Sequence, residues 1–99
     1  MSKIMVSHDL RHVAIIRLLR DAEDWLLSSD YEQCGAHAAE ARDMACVGRI
    51  LASDLFKVVN EHNPTAARVW AEFTNRYGVL ETTACDMLAD CEAYWQRKD

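Results

Sequence analysis

The sequence predicts an all-α protein: an antiparallel bundle of three long helices, packed as a single domain over residues 1–99. Three observations lead there. Three Gly and one Pro in 99 residues are too few turn formers for a many-stranded sheet or small barrel. Two places carry strong helix-starting chemistry, Ser28-Ser29-Asp30 and Asn63-Pro64, where a capping side chain precedes a new helix. Around them the apolar residues recur every three or four positions, the spacing of a stripe along a helix. Connections this short make successive helices antiparallel neighbours.

The first segment, 7–28, has a core stripe of Ile15, Leu18, Leu19, Ala22, Trp25 and Leu26. A helix starting near Ser7 places His8 in its first turn, where polar residues are at home. The opposite side is apolar too: Leu10, Val13, Ile16 and Leu27 lie around Arg17 and Arg20. Two other helices can hardly cover both sides, so something outside the monomer is expected to shelter the remainder.

The second segment, 30–62, carries two adjacent seams. Cys34, Ala38, Ala41, Ala45, Gly48, Ala52, Leu55 and Val59 form one, and almost all of it is small. His37, Ala41, Met44, Gly48, Leu51, Leu55 and Val58 form the other. Small residues let a neighbouring backbone come close, and two seams require two neighbours. This is the expected central helix, with Ile50 on its outward side.

The third segment, 64–97, has the clearest pattern. Trp70, Phe73, Tyr77, Leu80, Ala84, Met87, Cys91 and Tyr94 alternate steps of three and four without a slip. Gly78 sits inside this run, so a break there would give four helices with the same packing logic. The seam keeps its phase across Gly78, which favours one helix about 50 Å long at 1.5 Å per residue.

The charge balance narrows the function. Eleven Lys and Arg against sixteen Asp and Glu give a net charge of −5, the wrong sign for sequence-independent binding to a phosphate backbone. The second and third segments hold the excess acid. An acidic flank beside an apolar face is how a helical protein can occupy another protein's basic, nucleic-acid-binding surface. The pairs Arg17–Asp21, Arg20–Asp24, Arg68–Glu72 and Glu72–Arg76 are spaced i, i+4, as on solvated helix faces. The first residues show no signal-peptide pattern, and the densest apolar run, 13–19, is broken by Arg17, so a cytoplasmic protein with no membrane contact is expected. Its four cysteines (Cys34, Cys46, Cys85, Cys91) lie in helical pattern like small buried hydrophobes and are expected as reduced thiols.

Catalytic and metal-binding arrangements are weak. His8 and His12 stand one turn apart, as do Cys34 and His37, but no closely spaced cysteine pair anchors a zinc site. Asp86 and Asp90 share a helix face without a distinguishing environment, and there is neither a glycine-bounded nucleophile elbow nor a phosphate-cradling loop. No enzyme activity, cofactor or metal is expected.

One stretch resembles a known family. His37-Ala38-Ala39-Glu40-Ala41 and the later Met44-Ala45-Cys46-Val47-Gly48 resemble histidine phosphotransfer domains, helical bundles with a reactive histidine mid-helix. Over about a dozen residues the resemblance implies a signalling bundle acting through His37. Glu40 stands where that family has lysine, and a carboxylate there repels a phosphoryl group.

The leading expectation is a non-enzymatic protein–protein interaction module, an adaptor, inhibitor or assembly subunit. Its contacts would be Leu10, Val13, Ile16, Arg17, Arg20, Leu27 and Ile50, because apolar anchors beside arginines suit a binding face. The expected partner is another protein, with two-fold self-association the commonest arrangement.

Overall fold

The computed structural model describes residues 3–97. They form α1 (Lys3–Leu27), α2 (Tyr31–His62) and α3 (Pro64–Arg97). No strand occurs among the described residues. The second helix packs most extensively against α3 and next against α1, while α1 and α3 touch least. It is therefore the central helix. The bundle is long and thin, 57 × 20 × 14 Å, and among the described residues no helix is long and apolar enough to cross a membrane.

The corners follow from their side chains. At the end of α1 the Ser29 amide donates to the Leu26 carbonyl at 3.1 Å and the Asp30 amide to the Trp25 carbonyl at 2.9 Å. This is the paired-bond termination that requires a left-handed residue, and Ser29 supplies it with φ 60°. Asp30 then caps α2 by accepting the Gln33 amide at 3.1 Å. Asn63 serves two helices at once. Its amide donates to the Val59 carbonyl at 2.7 Å and its Oδ1 accepts the Ala66 amide at 3.1 Å, with Pro64 at the position where a missing N–H does no harm.

The α2–α3 contact is close because the facing side of α2 is almost bare. Cys34, Ala38, Ala41, Ala45, Gly48 and Ala52 are all buried on it. Trp70, Phe73 and Tyr77 of α3 fill the space those residues leave. Burying a large side chain of this kind contributes roughly 1.5–3 kcal/mol. A Cβ built on Gly48 would fall 2.5 Å from the Tyr77 Cζ, so glycine is required by that ring.

The third helix is continuous, as its unbroken seam predicts, and the four-helix alternative is excluded: Gly78 has ordinary negative φ and open space around it. Two other expectations need correction. The first helix starts at Lys3, four residues before the expected 7, because Met5 extends the core stripe toward the N-terminus and packs on the central cluster.

The second correction concerns cysteine. Cys34 and Cys91, expected as reduced thiols, are joined by a disulfide between α2 and α3, with Cα atoms 6.4 Å apart. Each lies on its helix's buried seam, and the close α2–α3 approach brings the two within bonding range. Cys46, half-buried, and Cys85, exposed, are free.

The i, i+4 charge pairs do not close. Among the described residues the ion pairs are Arg42–Asp43 at 3.2 Å and Arg49–Glu81 at 3.4 Å, and only the second ties one helix to another. Exposed pairs of this sort contribute little, about 0–1 kcal/mol.

Candidate interaction surface

The sides of α1 and α2 that turn away from α3 leave a crevice between them, open to solvent along the molecule. Three successive grooves make it up. The first, about 540 Å³, lies between Lys3, Ile4 and Arg11 of α1 and Leu51, Asp54 and Val58 of α2. The middle one, about 520 Å³, lies between Leu10, Val13 and Arg17 on one side and Glu40 and Met44 on the other. The last, about 480 Å³, joins Asp21, Asp24 and Trp25 to His37. The first two are walled mainly by apolar side chains and rimmed by charges. Leu10 is 66% exposed, Val13 50% and Val58 60%.

The rims differ in net sign. Lys3, Arg11, Arg17 and one carboxylate, Asp21, stand on the α1 side of the first two grooves, and Asp54 and Glu40 on the α2 side. None of these six joins an ion pair among the described residues.

His8 forms part of the floor of the first groove, and the first-turn solvent position expected for it does not hold. It is buried against α3, with its ring centroid 5.5 Å from those of Trp70 and Phe73 and 5.6 Å from that of Tyr77. Its Nδ1 is 2.7 Å from the Tyr77 hydroxyl, which donates to the His8 carbonyl at 3.3 Å. Both contacts are satisfied when a neutral ring carries its proton on Nδ1 and donates to the phenol oxygen. Burial holds the His8 pKa below its ordinary value, with the Arg11 guanidinium adding to the effect and Asp9 opposing it. Burial also pushes the Tyr77 phenol up, with Arg11 acting against that and Asp9 with it.

The expected contact residues divide. Leu10, Val13 and Arg17 line the middle groove. Ile16 is half-buried, and Arg20 is exposed; neither lines the crevice. Leu27 is 78% exposed at the C-terminal end of α1. Ile50 is exposed but lies about 100° round α2 from Leu51, so it does not share this surface. Sequence reasoning missed Ile4, Leu51 and Val58. The last two belong to the second seam of α2, and that seam is wider than the strip α1 covers.

His37 is half-buried, its Nδ1 donating to the Gln33 carbonyl at 2.7 Å, and its ring lies 6.4 Å from that of Trp25. Asp21 and Asp24 share its groove, an anionic setting that opposes an incoming phosphoryl group. His8 is committed to Tyr77, so His8 and His12 do not form a chelating pair, and no group of three metal-ligating side chains gathers among the described residues. No family model, curated protein or solved structure matches the chain.

Proposed function

We propose that this chain is a non-enzymatic protein–protein interaction module that binds through α1 and the adjoining strip of α2. The observation that carries the reading is the apolar crevice itself. Ile4, Leu10, Val13, Leu51 and Val58 all remain exposed on the two helices that bound it. An exposed apolar strip of this length, edged by charge, is the composition of a binding surface rather than of an idle one. Leu10 and Val13 are its anchors and Arg17 the adjacent polar contact. Ile16, Arg20 and Leu27 continue α1 beyond the crevice as flanking contacts, and Ile50 belongs to a separate edge.

A photoreactive residue at Val13 tests this reading whatever the identity of the partner. Irradiated in the producing cell, it is expected to give a discrete protein adduct that the same probe at Glu92, on the exposed end of α3, does not give. Equal background labelling at both positions overturns it.

A further inference from the structure

We infer that the occupant of the α1–α2 crevice is a second copy of this chain, laid on by a two-fold axis parallel to the crevice. The inference rests on the binding reading above and specifies it. Three observations support it.

The first is the amount of surface. The chain exposes 6595 Å², whereas a folded monomer of its mass exposes about 5,700 Å². Its radius of gyration is 15.9 Å against about 13 Å for an average domain of this length. A standard interface hides about 800 Å² on each partner. Covering one long side of this rod by another rod brings the exposed area per chain back to the ordinary value.

The second is the unpaired charge on the rims. Lys3 and Arg11 of α1 face Asp54 of α2 across the first groove, and Arg17 with Asp21 of α1 faces Glu40 across the middle one, so over the two grooves α1 is net positive and α2 negative. A two-fold axis along the crevice keeps each groove in register and exchanges the sides. The α1 cations of each copy then meet the α2 carboxylates of the other, and Leu10 and Val13 meet Met44 and Leu51. The same surface is complementary to itself, as an isologous contact must be.

The third counts against the simpler alternative of α1 on α1. Val6, Leu10, Val13, Arg17, Arg20, Asp24 and Leu27 follow one another at helical spacing along the outer side of α1. Pairing that line with itself, parallel or centred antiparallel, sets arginine against arginine, which is repulsive. Exchange between α1 and α2 avoids this.

The test is charge reversal and its rescue, read by sedimentation equilibrium, with Cys85 replaced by Ser so that its exposed thiol cannot link chains. The protein is expected at twice its 11.3 kDa chain mass. Arg17→Glu and Glu40→Arg are each expected to raise the dissociation constant about tenfold, and the two together to restore it. Both positions are exposed, and circular dichroism establishes that each variant keeps its helices. A mass of one chain at every concentration overturns the second copy and leaves the Val13 crosslink to judge the binding reading. A dimer indifferent to either reversal, or weakened by both and not rescued, overturns this pairing while self-association stands. As a second readout, carbodiimide coupling of mixed isotopically light and heavy chains is expected to join Lys3 of one to Asp54 of the other; same-isotope products alone overturn it.

Discussion

The Tyr77 ring occupies the space in which a side chain on residue 48 would stand. The hydroxyl of that ring is bonded to the His8 imidazole at 2.7 Å. This bond opposes a swing of the ring away to admit a Cβ. Glycine inside a helix normally disfavours folding by about 1 kcal/mol relative to alanine, and overpacking a filled core costs about 1–3 kcal/mol. Gly48→Ala is expected to destabilise the protein by about 0–2 kcal/mol net, measured by urea unfolding. Gly48→Ala combined with Tyr77→Leu is expected to lose less than the two single effects added together, because the obstruction is gone.

The burial of His8, with the Arg11 guanidinium adding to it, makes stability depend on acidity. The folded protein holds the His8 pKa below that of the unfolded chain, so the unfolded chain binds the proton more readily. Stability is fully present above about pH 6.5 and is lost progressively as the pH falls through that value toward the lower, folded one. Thermal unfolding from pH 8 to 5 is expected to show this decline, and His8→Phe to flatten it. Tyr77→Phe removes the hydroxyl partner and is expected to cost about 1–3 kcal/mol at neutral pH.

The helix ends give smaller effects of known sign. Asp30→Ala and Asn63→Ala each delete a side-chain acceptor and are each expected to cost about 1 kcal/mol. Ser29→Gly relieves a left-handed residue and is expected to stabilise by roughly 0.5 kcal/mol. Chemical denaturation of the three variants settles the ordering.

The Cys34–Cys91 bridge spans 57 residues. Holding the unfolded chain in a loop of that size is worth about 4 kcal/mol in the chain-entropy account. Reduction, or Cys34→Ala with Cys91→Ala, is expected to lower stability by a few kcal/mol. Thiol titration of the unreduced, denatured protein is expected to find the thiols of Cys46 and Cys85 alone, and a count of four would refute the bridge.

Much of the architecture was legible because helical periodicity is a local property. The unbroken phase across Gly78 marked a continuous α3, and the run of alanines on α2 marked a close partner. The bridge was not legible, since each cysteine alone looks like a small core residue. Only the register of α2 against α3 makes them neighbours. That register is traceable in hindsight: Cys34 and Cys91, and likewise Gly48 and Tyr77, lie symmetrically about the turn at His62 and Asn63. The role of His8 was hidden for a similar reason, because its partner stands 69 positions away. The crevice was half legible. The apolar outer side of α1 pointed to Leu10 and Val13, but Leu51 and Val58 read as core, since spacing shows which residues share a face and not how far a neighbour reaches across it.

The single-residue link at Asn63, capping the helix behind it and the one ahead, has an evolutionary corollary. One residue added between Gly48 and that link would rotate everything on its far side by about 100°, parting the two sulfurs and driving the phenol ring into a different turn of α2. Length in the hairpin is therefore frozen. Drift in size is confined to the corner around Ser29 and to the chain ends, where an extra residue disturbs no cross-helix alignment.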